Sequence, residues 1–436
     1  MPWRDALEPV RMERVAVVAT GDALQEVLAL VAEAGVLEPD LTMLERGSEL
    51  PSGGVELGVD DVCAATLQRN EVAALAGWIP ATMIERLARA LEPLGATLVR
   101  LPLPADVQPP TLVPPSGPAS TFQPLVDTYA TVPYDDINPS VLAGLAYVAM
   151  FGMMFGDVGH GVLLLAAGLF LRLSRRPLPS YLRKAAPFVI GCGVTSTAFG
   201  FAFCEAFGPT HLAPGLWLAP LDHATELLAV AVAIGAVLIA ASYVLGTVNR
   251  WREGGATQAL LAVSGIAGAG MYLGLALVGL GWYRHLVAAE LGGAVVALIG
   301  VVLGFAGLYA EAGGRAAGVA EATVEMFDSV IRLGTNTVSF ARLAAFGLTH
   351  AALTGIVWQG TTALWHKGGL MTVLGAVLFL AGNAFTFALE GLVAAIQALR
   401  LEYYELFSRV FSSQGRSFRP WHISKLTPKE ASCSLG

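Results

Sequence analysis

The sequence predicts a mainly α-helical polytopic membrane protein: about eight transmembrane helices, the last two long and tilted, preceded by a small α+β ferredoxin-like cytoplasmic lobe. Composition is the first reason. Hydrophobic residues make up 55% of the chain and charged residues only 14%, and the mean hydropathy is +0.62, far from an ordinary soluble domain. The second is a series of apolar segments that begins near residue 140, and the third is the soluble alternation of short strands and helices before residue 103. The net charge of −8 is spread along the chain with no run of Lys and Arg, which excludes a nucleic-acid footprint. Cys63, Cys192, Cys204 and Cys433 stand far apart without CxxC spacing, so they read as reduced packing residues, with neither a disulfide framework nor a metal site.

The N-terminal stretch MPWRDALEPVRMERV is charged and lacks the apolar core of a secretory signal, so it is expected to remain in the cytoplasm. RVAVVAT (14 to 20) is a β-branched run, and DALQEVLALVAEAG (22 to 35) has apolar residues at helical spacing and stops at a glycine. A second unit follows as strand EVAALAGWI (71 to 79), helix ATMIERLARALEPLG (81 to 95) opened by Pro80, and closing strand ATLVRL (96 to 101). Residues 36 to 70 read as loop with one strand at VELGV (55 to 59). These units make residues 1–103 a β-α lobe of the ferredoxin-like kind. Residues 104–138 form a Pro-rich linker, extended over its PPTLVPPSGP stretch.

Residues 139–412 are the membrane domain. Its apolar segments are 140 to 156, 159 to 173, 185 to 206, 226 to 247, 257 to 281, 286 to 310, 326 to 359 and 370 to 408. A bilayer core ~30 Å thick needs ~20 helical residues, so the first two are short and the last two must tilt or project. RLSRRPLPSYLRK (172 to 184) and NRWRE (249 to 253) are basic connections, whereas 207 to 225 carries no Lys or Arg. With the basic tail 413–436, this pattern puts both termini in the cytoplasm.

Charges inside the apolar segments single out the functional candidates. Asp328, Thr335, Ser339, Arg342 and His350 fall in one helical stripe of the seventh segment, and Asn383, Glu390, Gln397 and Arg400 in one stripe of the eighth. An arginine at mid-membrane costs ~2.5–3.5 kcal/mol on insertion scales, so it faces a partner or water. A purely structural role is the alternative: the arginines snorkel to an interface or pair with Glu390 to hold the bundle, and His350 is a packing histidine. MFGMMFGDVGHG (150 to 161) interrupts the first two segments with Asp157, His160 and four glycines, and reads either as a functional break or as a tight hairpin whose Asp caps a helix.

MFGMMFGDVGHG, SFARLAAFGLTHAAL (339 to 353) and ALEGLVAAIQALRLEYYELFSRVFSSQGRSFRPW together resemble the three signature regions of the membrane stator subunit, subunit a or I, of V-type and archaeal-type rotary ATPases, from about Phe122 to Trp421. The resemblance implies a proton- or sodium-translocating stator that forms two ion half-channels against a proteolipid rotor ring, with membrane lipid, other rotary-ATPase subunits and a peripheral stalk as partners, in a prokaryotic plasma membrane. It implies that Arg342 and Arg400 face the rotor carboxylate and that Glu390, His350 and Asp328 line the half-channels; Asp328 stands where many members have glutamate. Ser339, Asn383, Gln397 and Asp157 are added as further ion-path candidates. No GxxxxGK[ST] loop occurs, so no enzyme activity, nucleotide site, cofactor or metal is expected in this chain. One departure is expected: residues 36 to 70 stand where the family has a long coiled coil and a distal lobe, and no sustained heptad is present. A competing reading is therefore a shortened paralogue that binds a proteolipid ring as scaffold or regulator without coupled transport. A secondary transporter is disfavoured because no inverted repeat is evident.

Overall fold

The computed structural model describes residues 8–40, 62–63, 66–69, 71–103, 107–114, 118–175, 179–210, 217, 219–410 and 415–422. The strand expected at 55 to 59 lies outside them. The chain forms two compact units, one of residues 1–115, 130–138 and 413–436, the other of 116–129 and 139–412.

In the first unit, β1 (Met12–Thr20) lies between β4 (Val72–Pro80) and β5 (Thr97–Arg100). Its register with β4 is antiparallel from Met12 opposite Pro80 to Thr20 opposite Val72. Two short strands not anticipated from the sequence, β2 (Glu38–Pro39) and β3 (Leu67–Arg69), also pair antiparallel with β4. The strand order is β2-β4-β1-β5. Alternation puts Val15, Val17 and Ala19 inward from β1. Helix α1 (Leu24–Ala34) adds Leu24, Val27, Leu28 and Val31 at helical spacing and ends at Gly35, whose φ of 55° is the left-handed C-cap that glycine adopts without strain. Helix α2 (Ile84–Leu91) packs on α1 and contributes Ile84, Leu87 and Leu91 to the same core. Trp421 from the far end of the chain joins this core at 3% exposure, its N–H donating to the Leu37 carbonyl at 2.9 Å. Cys63 is disulfide-bonded, correcting the expectation that all four cysteines are reduced; Cys192 and Cys204 are free.

The second unit is helical. Helix α3 (Pro118–Asp127), within the stretch read as linker, precedes α4 (Ser140–Met154), α5 (Val158–Leu173), α6 (Ser180–Phe203), α7 (Ala224–Leu261), α8 (Ile266–Arg284), α9 (Val287–Glu311), α10 (Ala316–Ser339), α11 (Ala341–Trp365) and α12 (Leu370–Leu401). Among the described residues, six helical stretches are long and apolar enough to cross a membrane, α10 and α11 counting as one; α4 and α5, with 15 and 16 residues, fall short. Two local differences from the sequence reading matter for the site. The seventh segment is not one helix but breaks at Phe340, a fully buried ring seated where a side chain at Gly235 of α7 would otherwise lie. The basic stretch 249 to 253, expected as a connection, lies inside α7, where buried Arg250 pairs with Glu253; the helix breaks only at Gly254 and Gly255.

Glycine sets how closely these helices approach. A Cβ on Gly161 of α5 would lie 2.5 Å from the Thr197 nitrogen of α6, and one on Gly193 would lie 2.5 Å from the Leu165 nitrogen. Backbone meets backbone, as small residues permit inside a bilayer where apolar burial supplies little drive for association.

Candidate functional site

The break between α4 and α5 builds the first polar cluster. Asp157 has extended backbone, φ −141° and ψ 129°, and caps α5: its Oδ1 accepts from the His160 N–H at 2.9 Å. Its Oδ2 accepts from Gly208 N–H at 3.1 Å, so the carboxylate ties the start of α5 to the turn that leaves α6. The capping role weighed for Asp157 is what the structure shows. One turn on, His160 is fully buried, stacked on Phe155 at 5.6 Å and edge-on to Phe207 at 5.3 Å. Neither of its nitrogens reaches a hydrogen-bond partner, although the Asn383 amide of α12 stands beside it.

His350 approaches this cluster from α11. Its ring lies 5.5 Å from that of His160 and 4.9 Å from that of Phe155. His350 Nδ1 is bonded to Glu390 Oε2 on α12, which leaves His350 Nε2 and Glu390 Oε1 buried without partners. Asn383 donates from Nδ2 to the Phe379 carbonyl at 2.9 Å and keeps an unpartnered Oδ1. Glu205, 5% exposed in the turn after α6, is within electrostatic reach of both Asp157 and Glu390.

The second cluster surrounds the junction of α10 and α11 and the end of α12. Arg342 is half-buried with one buried, unpartnered Nη1, and it interacts electrostatically with Arg400 and Glu405. Glu405 is also within electrostatic reach of Arg400 and Arg409, while the Ser339 hydroxyl nearby donates to the Thr335 carbonyl at 2.9 Å. Gln397 is half-buried with an unpartnered Oε1, and Arg400 is exposed. Next to Arg409 opens a polar cavity of about 350 Å³ whose walls include Arg250, Ser329, Arg332 and Asn336. Asp328 joins neither cluster: it is exposed and paired with Arg332 one turn along α10. The predicted stripe is thus divided. Ser339 and Arg342 belong to one cluster, while His350, eight residues beyond Arg342 and therefore ~12 Å along the helix, belongs to the other.

Glu405, Glu402, Arg409 and Glu205 were not singled out from the sequence, and His160 was noticed without a role. The helix geometry explains Glu405. After α12 the chain winds as a π-helix over Glu402–Phe407. The wider turn of a π-helix changes which side chains share a face from there on, so a reading at 3.6 residues per turn past Leu401 misplaces Glu405, which lies within electrostatic reach of Arg400.

Residues 62–187 match the sequence pattern of the V-type ATPase 116kDa subunit family. The chain is 28% identical to the A-type ATP synthase subunit I of Aeropyrum pernix over 84% of its own length and 60% of the relative's. It is 28% identical to the same subunit of Halobacterium salinarum over 73% of this chain and 52% of that one, and 26% identical to the V-type ATP synthase subunit I of Chlamydia pneumoniae over 82% and 62%. The matches therefore take in only about half to three-fifths of these relatives. The chain is similar over residues 62–187 to the V-type ATPase 116kDa subunit family, and over most of its length to subunit I of A-type and V-type ATP synthases.

Proposed function

We propose that this chain is the stator that passes protons or sodium ions across a membrane in a rotary ATPase, with two half-channels that meet a proteolipid ring beside Arg342 and Arg400. The observation that carries this reading is the pair of separate polar clusters to which α11 and α12 contribute, one buried around His350 and Glu390, the other around Arg342 and Glu405, with Arg409 at the wall of a cavity of about 350 Å³. Arg342 stands with the second, about two helical turns from the first.

The chemistry follows from the cost of charge in lipid. A rotor carboxylate must be neutral while it faces lipid, since an isolated buried anion is very costly. Opposite a guanidinium the anion is favoured, and the acid releases its proton. Arginine keeps its charge at any working pH where a buried lysine can lose it. Arg342 then separates the two half-channels and blocks a direct leak between them. Glu390, His350 and Asp157 would serve one half-channel; Ser339, Glu405 and the cavity near Arg409 would serve the other. Each charge that crosses 100 mV carries ~2.3 kcal/mol to turn the rotor. The chain contributes no nucleotide chemistry in this reading. Its lobe, read as ferredoxin-like from its two β-α units, would lie in the cytoplasm and meet the stalk subunits.

The test is Arg342→Lys in the native complex in inverted membrane vesicles, with ATP-driven acidification as readout. Loss of pumping with normal ring association is expected, while Thr349→Ala, an exposed position seven residues along α11, should pump normally. Full pumping by Arg342→Lys would overturn the reading. If the wild-type complex holds a ring and never pumps, the chain is a ring-binding scaffold instead.

A further inference from the structure

We propose that Asp157, His160 and His350 form a binding site for a divalent transition-metal ion of the Zn²⁺ class. The three residues come from two elements, the start of α5 and the middle of α11, and are buried at 0%, 0% and 1% exposure. One ligand atom from each lies within 4.8 Å of the others. Two imidazoles and one carboxylate are a borderline donor set that suits Zn²⁺ or Co²⁺ and disfavours Mg²⁺ and Ca²⁺, which take oxygen. Closing the set to the spacing of a tetrahedral site needs each group to move by about an ångström.

An independent observation points to a ligand here. Both nitrogens of His160 and Nε2 of His350 are buried with no hydrogen-bond partner, a costly state for three polar atoms on two neighbouring rings. The surroundings are those a metal uses. Glu390 Oε2 is bonded to His350 Nδ1; in the tautomer that donates this bond to the carboxylate, the Nε2 lone pair is free for a metal. That is the carboxylate–histidine arrangement that orients a ligand and raises its basicity. Asp157 is likewise fixed by the backbone N–H groups of His160 and Gly208, and each of its oxygens keeps a lone pair. Phe155, Phe207 and Phe387 wall the histidines from water. Asn383 Oδ1, also unpartnered, or a water would complete four ligands. The Glu390 side chain, 12% exposed, marks the more open edge of the cluster. Spacing in the sequence could not reveal this set, because His350 is 190 residues from His160.

An ion held there takes His350 and Asp157 out of any proton relay, so micromolar Zn²⁺ would block transport. That consequence rests on the proposed function; the binding does not. The binding test titrates the untagged full chain in detergent with Co²⁺, read by its visible d–d absorption. One Co²⁺ per chain is expected, with the intense bands of a four- or five-coordinate ion, displaced by Zn²⁺. His160→Gln and His350→Gln should each weaken binding at least tenfold, and Glu390→Gln should weaken it ~10–100-fold by removing the support of His350. His366→Gln, at an exposed helix end, should change nothing. Metal-free melting at the wild-type temperature verifies that a variant is folded, and Zn²⁺ should raise the melting temperature of wild type but not of the His160 and His350 variants. No saturable Co²⁺ binding by wild type, or unchanged affinity in the two folded histidine variants, would overturn the site. In vesicles of the native complex, binding with no effect of Zn²⁺ on pumping would leave the metal site standing and count against this cluster as part of the ion path.

Discussion

Glu405 illustrates how much one residue can organise. Three arginines, Arg342, Arg400 and Arg409, lie within its electrostatic reach, and its own 8% exposure leaves little water to screen them. Glu405→Gln keeps the shape and removes the charge, so it should destabilise the chain in detergent by ~1–3 kcal/mol, measured by thermal denaturation. Arg400→Ala, at an exposed position, should cost under ~1 kcal/mol in the same assay. In the lobe, Glu38 offers a test by pH. Burial raises its pKa above the ordinary 4.5, against the lowering effects of the Arg419 backbone N–H, bonded at 2.8 Å, and of Arg416, paired at 2.8 Å. The folded state then holds a proton that the unfolded state releases, so the contribution of Glu38 is fully present below pH 4.5 and is lost as pH rises through the raised value. Hydrogen-exchange protection of β1 and β4 amides, corrected for intrinsic rates, should therefore fall over that interval in wild type and lose this component in Glu38→Gln. Arg342, His350, Glu390 and Gln397 were legible in the sequence because polar atoms in an apolar run are conspicuous. Glu205, Glu402 and Glu405 sit at the ends of such runs, where charge is ordinary and gives no signal.

Among the elements, the helices themselves were the easiest to read. Each apolar segment from residue 140 onward corresponds to a helix or a helix pair in the structure, since length and hydropathy are additive along the chain. The breaks were not legible: Phe340 interrupts the seventh segment because its ring packs against α7, and no local preference of phenylalanine encodes that. The pairing of α5 with α6 was readable only as glycine density. Its tightest point is Gly200, where an added Cβ would lie 2.3 Å from the Val158 nitrogen and 2.5 Å from the Asp157 carbonyl carbon. These are backbone atoms, which cannot swing aside as a side-chain tip can. Gly200→Ala should therefore push the start of α5 off α6 and cost ~1–3 kcal/mol, read as a lower melting temperature in detergent. Because the displaced atoms belong to Asp157 and its neighbour, the same variant should also weaken Co²⁺ binding. Gly279→Ala, with nothing within 4 Å of the added carbon, serves as the control and should melt at or slightly above wild type.

For the whole molecule, the strongest constraint is that residues 415–422 belong to the N-terminal lobe. Arg416 pairs with Glu38, Ser417 bridges to Thr111, and Trp421 is buried among Val15, Leu28 and Ile79. The prediction is that the chain enters and leaves the membrane on one side, with an even number of crossings. Among the described residues, six helical stretches meet the length and hydropathy of a span. At 15 and 16 residues, α4 and α5 reach only ~22–24 Å, short of a ~30 Å core. Whether this pair crosses twice through a thinned bilayer or dips in and returns, it changes the count by two or by none. Either way the connection after α5 is expected on the same side of the membrane as the chain's entry, and the connection between α6 and α7 on the other. The first carries Arg172, Arg175, Arg183 and Lys184, and the second has neither Arg nor Lys, so the positive-inside rule predicts the first on the cytoplasmic side. The prediction can be checked with single cysteines at Leu173, 72% exposed, and at the exposed Asp222, in a chain whose four native cysteines are replaced by serine. An impermeant thiol reagent added to intact cells should label Asp222→Cys and spare Leu173→Cys until the membrane is opened. Labelling at Leu173 alone would invert the orientation, and labelling at both would mean that α6 does not cross, which the shared lobe of residues 8–40 and 415–422 would then allow only if another of the six stretches also fails to span.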